Sequence, residues 1–314
     1  MAARAASRPL EIPRDCETCE VAAGGRTVRL TNLGKLFWPD VGIAKRDLLQ
    51  YYADLSGYLL PHIRDRAMVM KRYPNGAAGK FFFMKRAPSP RPEWIRICPI
   101  RHASGNIVEF PVVDDLAGLL WLVNLGCIDL NPWYARCDDV NRPDYLHFDL
   151  DPTPGATWRQ MLDAALLVHE ALDGLKIPNY AKTTGSRGLH IYVPIVRGPE
   201  QKRVWSFAKA AANALADRHP ELLTAVYKVA KRPDKRVLVD YNQNAWGRTL
   251  ASVYSVRPKP RATVSAPVTW DEVKNGIETE DFRLDNMPER VRAIGDLFEP
   301  LVAKSGRLNL EKFF

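Results

Sequence analysis

Long apolar runs are missing from this 314-residue chain, and none approaches the roughly 18–20 residues that cross a bilayer. Its opening, MAARAASRPLEIPRD, has no apolar core segment, which argues against a secretory signal. Cysteine is sparse and odd in number. Five residues argue against a disulfide framework and fit a reducing cytoplasm. Cys16 and Cys19 form a CxxC, but no second pair follows at zinc spacing. There is no Walker motif, no GxGxxG and no internal repeat. What remains is an ordinary soluble composition, 46% hydrophobic and 26% charged. It carries a basic excess, with a net charge of +9 and a pI of about 9.3. That balance favours a polyanionic partner such as nucleic acid, with acidic lipid or mere solubility as alternatives. The length suits one large domain or two ordinary ones.

The chemistry centres on Asp144 to Pro152, DYLHFDLDP. Read as a strand, alternation puts Tyr145, His147, Asp149 and Asp151 on one face and Leu146, Phe148 and Leu150 on the other. The apolar face is expected in the core. The opposite face presents two carboxylates about 6–7 Å apart. Such a pair can bridge two divalent cations about 3.5–4 Å apart, the geometry of phosphoryl transfer. Pro152 stops the strand because it lacks an amide proton. The competing reading makes Asp151 the start of a turn and Asp149 a solvated edge residue. Asp240 ends a later strand, RVLVDYNQN, on the alternation face of Leu238. It is either a third metal-facing acid or the first residue of a turn.

Residues 179–195, NYAKTTGSRGLHIYVPI, read as strand, glycine turn, strand. Thr184, Ser186 and Arg187 make the turn rich in donors, and Gly185 and Gly188 let backbone approach a ligand. His190 falls on the polar face of the second strand, either solvated or a donor to a triphosphate. Residues 64–101 hold ten Lys or Arg, Lys71 and Arg72 among them, against Asp65 and Glu93. Tyr73, Phe81, Phe82, Phe83 and Trp94 are interleaved. Cations that grip phosphates beside rings that stack on bases suit a single-strand binding surface. Alternation turns at least one of the three phenylalanines away from the core, unless two layers cover all three. Asn32, Lys35 and Lys45 surround a Pro-Asp turn before a helix with Leu48, Leu49, Tyr52, Leu55 and Leu59 on one stripe. They can hold a phosphate or simply be solvated. Residues 1–24 are Ala-, Arg- and Pro-rich and predict a flexible arm. Thr157 caps a helix from Trp158 to about Leu172, and further helices are expected near 200–219 and 288–298.

Three of these stretches stand in a familiar order and spacing: DYLHFDLDP, KTTGSRGLHIYVP and VLVDYNQNAWGRTLASVYSVR. With TNLGKLFWPD, KRYPNG and the Phe-Phe segment, they resemble the primase-polymerases of the archaeo-eukaryotic primase superfamily, specifically the polymerase domain of bacterial ligase D. The resemblance runs from about Arg26 onward. It implies an α+β fold over residues 25–314, with two sheets around a central cleft flanked by helices. It implies a template-dependent DNA-directed nucleotidyltransferase that fills short gaps or aligns broken ends by a two-metal in-line displacement. Ribonucleotides are often preferred, and the ions are Mn2+ or Mg2+. Asp149, Asp151 and Asp240 match the catalytic, metal-binding acids. Lys71, Thr184, Ser186, Arg187, His190, Gln243 and Arg257 match contacts to the nucleoside triphosphate, and Asn131 stands near its sugar. Asn32, Lys35 and Lys45 match a pocket for the 5′-phosphate on the downstream strand of a gap. Phe82 and Phe83 match rings that stack on the template, with Arg72 joining that basic surface.

Three positions depart from the common pattern. Thr184 and Arg187 stand where serine and lysine are frequent, and Asn131 stands where histidine is frequent. The implied partners are gapped or broken duplex DNA with a 5′-phosphate, a DNA ligase and Ku. The implied setting is a cytoplasmic, nucleoid-associated monomer with no membrane contact. With no room for a ligase or nuclease domain, the chain resembles the stand-alone members. Two rivals are a non-catalytic module that binds DNA ends or gaps, and a metal-dependent phosphoesterase.

Overall fold

The computed structural model describes residues 10–314. Its centre is a six-stranded sheet whose spatial order is Leu223–Thr224, Val237–Asp240, Tyr145–Pro152, Leu189–Pro194, Tyr180–Thr183, Pro267–Val268. All neighbours are antiparallel except the first pair. A three-stranded antiparallel sheet orders Phe82–Met84, Met68–Arg72 and Cys127–Pro132. The fold is α+β, with the site between these two sheets and helices outside them.

Helix periodicity explains the covering layer. Met161, Leu162, Ala165, Val168 and Leu172 bury one stripe of helix Trp158–Gly174, whose N-terminus is capped by Thr157. Val204, Ala208, Ala212 and Leu215 do the same for Gln201–Arg218. The helix expected near 288–298 spans Met287–Ile294. One buried apolar cluster runs from Ile12 to Leu310. Among the described residues, no helix is long and apolar enough to cross a membrane.

Two expectations need correction. The flexible arm does not describe residues 10–24. Thr18–Ala23 pairs with Arg26–Thr31 as a hairpin, and Gly24 and Gly25 both take the positive φ that a tight two-residue turn needs. Val21 and Ala23 are buried, and Ile12 donates its backbone N–H to Gln50 Oε1. Residues 1–9 of the expected arm lie outside the described residues. Second, the polar face of Tyr145–Pro152 is not open, since Tyr145, His147 and Asp149 are buried like their apolar neighbours. A central strand with covered faces hides its polar side chains from any simple alternation of wet and dry. Of the two readings of Phe81, Phe82 and Phe83, the structure bears out the one that turns rings away from the core: all three are exposed, and no second layer covers them.

Candidate active site

Register brings the acids together. Asp149 is the direct cross-strand partner of Asp240, and Asp151 pairs with Leu238, two residues from Asp240. Since alternate residues share a face, all three carboxylates lie on one side of the sheet. Burial pushes Asp149 up to about 7, only partly offset by Lys182 and Arg257. Asp151 is likewise pushed up to about 7 by burial and by repulsion from Asp149 and Asp240. Asp240 is raised too, mainly by burial, although its Oδ1 accepts the Asn242 backbone N–H at 2.7 Å.

On the other flank of the strand, His190 pairs with Asp149, with Nε2 and Oδ1 3.0 Å apart. Burial and nearby cations hold His190 well below the ordinary imidazole range. It is therefore neutral, an uncharged polar neighbour of the carboxylate. Lys182, opposite His190, is fully buried and donates to Ser265 Oγ at 2.5 Å and Ala251 O at 3.1 Å.

The donor loop packs directly against this strand. Thr184 Oγ1 accepts the backbone N–H groups of Ser186 and Gly188 at 3.1 and 3.2 Å, closing the turn. A Cβ at Gly188 would stand 2.0 Å from Leu150 O, so only glycine lets the loop approach so closely. Arg257 donates to Thr184 O, fixing the guanidinium beside the loop.

A cavity of about 500 Å³ opens here between the two sheets. Asp149, Asp151, Thr184, Ser186, Arg187 and His190 form one wall. Lys71, Asn131 and Phe83 come from the small sheet, and Gln243 and Arg257 from later segments. Every residue matched to the nucleotide thus lines one cavity. Lys71 Nζ sits 4.2 Å from the Phe81 ring centroid and 5.3 Å from that of Tyr73, a cation held among rings.

No three His, Cys, Asp or Glu side chains already converge in ligand geometry among the described residues. The residues nevertheless suit hard divalent cations. Three carboxylates share a face, supply oxygen ligands, and are pushed toward protonation by burial and mutual repulsion. A cation would reverse that push.

A second cavity of about 260 Å³ is lined by Asn32, Lys35, Lys45, Arg72 and Asn124. The TNLGK turn folds back on the following helix, with Lys45 N donating to Lys35 O and Arg46 N to Leu33 O. Asn32 takes a positive φ of 55°, which asparagine tolerates. Lys45 is buried, and desolvation with Lys35 and Arg72 nearby lowers it to about 8.

Arg72 stays beside Phe82, the ring the resemblance groups it with, and also faces the second cavity. It lines the second cavity, donates to Leu125 O at 2.8 Å, and lies 5.4 Å from the Phe82 ring centroid. Phe82 pairs with Arg72 and Phe83 with Lys71, so the two rings fall on opposite faces of the ribbon. The sequence reading also missed Asp129, Lys85 and Arg248, which line the main cavity, and Lys182. A signal for Asp129 existed, because it shares the alternation face of Asn131 in CIDLNP.

Clustered acids facing a cationic, donor-rich cavity suit metal-assisted transfer of a nucleotidyl or phosphoryl group. Residues 44–298 match the family described as LigD, primase-polymerase domain. The chain is 34% identical over 278 residues to the multifunctional non-homologous end joining protein LigD of Mycolicibacterium smegmatis, covering 88% of this chain and 36% of that protein. It is 30% identical over 271 residues to the bifunctional LigD of Bacillus subtilis, covering 85% and 43%. It superposes on the polymerase domain of Mycobacterium tuberculosis ligase D, solved in complex with DNA, with a TM-score of 0.82 and 29% identity. That match covers 88% of this chain and 98% of that domain. The chain belongs to the LigD primase-polymerase domain family. It spans little more than a third of the length of the mycobacterial relative.

Proposed function

We propose that this domain extends primer ends across short gaps or aligned breaks during DNA repair, copying a template strand and engaging a downstream 5′-phosphate. One observation carries the reading: all eight expected nucleotide contacts gather with Asp149 and Asp151 around a single cavity. Asp149, Asp151 and Asp240 would hold two Mn2+ or Mg2+ ions. Bound there, such ions supply Lewis-acid stabilisation of the triphosphate and favour ionisation of the primer 3′-hydroxyl.

The chain's own residues do the rest. Lys71, Arg187 and Arg257 offset the charge that develops on the departing pyrophosphate. Thr184 and Ser186 orient the triphosphate through the donor loop, and His190 fixes the rotamer of Asp149. Gln243 and Asn131 border the sugar and base, and the Asn131 amide would favour a ribose hydroxyl. Phe83 offers an exposed ring for stacking on the template base. The second cavity, with Asn32, Lys35, Lys45 and Arg72, takes the 5′-phosphate. The end-joining role in the relatives' descriptions supports work at broken ends, with a DNA ligase sealing the product.

The test is extension of a gapped template with each nucleotide type and each metal in turn. Asp149→Ala and Asp151→Ala are expected to abolish extension while binding to the gap survives. Extension that persists in either variant refutes the assignment.

A further inference from the structure

The floor of the main cavity carries a fourth carboxylate that the three-acid scheme leaves unused. Asp129, in strand Cys127–Pro132, is 2% exposed and lies beneath two of the cations. Its Oδ2 is 3.6 Å from Lys71 Nζ and 3.8 Å from Arg257 Nε. Both separations exceed hydrogen-bond length, so these are ion pairs without hydrogen bonding. Oδ1 of Asp129 and Nε of Arg257 are buried with no hydrogen-bond partner. A buried charge so thinly paired is poor core material, and an apolar residue of similar size would pack the strand at lower cost.

Its position supplies a reason for it. Lys71 belongs to the small sheet. Arg257 belongs to the segment that follows Ala251 and is bound through Thr184 O to the donor loop of the large sheet. Asp129 is the point at which the two meet. We propose that Asp129 is a positioning residue for nucleotide addition, anchoring Lys71 and Arg257 at the cavity floor so that both charges face the triphosphate in one fixed arrangement. The proposal rests on reading this cavity as the triphosphate site. Asp129 itself does not touch the substrate. As a carboxylate near a polyphosphate it weakens binding, and its contribution lies in holding the two cations in register as charge moves to the leaving group.

That division gives a signature that packing alone would not produce. Asp129→Asn keeps the shape of the side chain and removes one negative charge from the floor. The nucleotide then binds as well as before or more tightly, while the cations lose their common anchor. The experiment is single-turnover extension of a gapped duplex over a range of nucleotide concentrations, with thermal melting of each variant alongside. Asp129→Asn is expected to lower the maximum rate at least about tenfold with the nucleotide Kd unchanged or lowered. In a Lys71→Ala background the further loss from Asp129→Asn should shrink to under about threefold, because one of the two anchored groups is gone. An unchanged maximum rate overturns the proposal. So does a parallel loss of rate and affinity that follows a lowered melting temperature, or full additivity with Lys71→Ala. Failure of the underlying reading looks different: Lys71→Ala and Arg257→Ala would leave the nucleotide Kd untouched, and this proposal would fall with it.

Discussion

Lys45 offers a quantitative test of the second cavity. Its side chain is 3% exposed, and Nζ donates to Thr31 O at 2.6 Å and Asn124 Oδ1 at 2.7 Å. An ammonium has three donors, so one remains for a ligand. Desolvation, with Lys35 and Arg72 close by, brings its pKa from 10.5 to about 8. At about 1.4 kcal/mol per tenfold, holding that charge in the pocket costs about 3 kcal/mol. The folded-state value lies below the unfolded one. The cost is therefore present in full below about pH 8 and fades as pH rises toward 10.5. A bound phosphate dianion offsets it, and one charge-assisted contact contributes about 1.5–3 kcal/mol. Preference for a 5′-phosphorylated gap over an unphosphorylated one should then be about 10- to 100-fold near pH 7, where the phosphate, with a second pKa of about 6, is already mostly a dianion. Above about pH 8.5, binding must first return a proton to Lys45, and the preference should fall by up to about tenfold per pH step. Fluorescence anisotropy on the paired duplexes across this range measures it. Lys45→Ala should abolish both the preference and its pH dependence. A preference that stays flat to about pH 9.5, or an equal loss for Lys45→Ala on gaps lacking the phosphate, refutes the argument.

Asp149 and Asp151 run the other way. Both are raised from 3.8 to about 7, so metal-free stability is fullest below about pH 4 and declines as pH climbs through 7. Thermal melting should therefore show a larger stabilisation by Mn2+ at about pH 8 than at about pH 5.5; equal increments would contradict the raised values. Gly188→Ala would drive a Cβ into Leu150 O, and a loss of about 1–3 kcal/mol in urea unfolding, together with lost extension, is expected. Phe83 is 61% exposed, so Phe83→Ala should leave stability within about 0.5 kcal/mol of the parent. It should also weaken single-strand template binding by about 1–3 kcal/mol; unchanged binding would remove the stacking role.

The DxD strand and the donor loop are legible because each rests on local rules, whereas local rules leave Asp240 open between acid and turn, and only its cross-strand pairing with Asp149 places it. Alternation, a proline stop and a glycine turn need no tertiary information. The N-terminal hairpin was misread because composition outweighed its Gly-Gly turn, a local signal that was present. The burial of His147 and Asp149 was not legible, because it depends on what packs over the face rather than on the strand itself. Asp129 was passed over for a related reason. A single acid in an apolar strand gains meaning only when Lys71 and Arg257, far apart in sequence, arrive beside it. Arg72 shows the limit of reading a basic run as one surface, since adjacent residues of a strand point opposite ways.

That last point joins the two cavities. Lys71 and Arg72 are consecutive in strand Met68–Arg72, yet the first lines the large cavity and the second the small one. Their partners in the ribbon divide in the same way, Phe83 with Lys71 and Phe82 with Arg72. The large cavity and the small one are therefore opposite faces of one short ribbon, not separate sites joined by a flexible segment. A strand is stiff over so few residues, so the spacing between the two cavities is set by backbone geometry. On the proposed reading, this makes the ribbon a fixed spacer. A gap that matches it engages both cavities at once, and the second contact then adds to the first without further ordering of the protein.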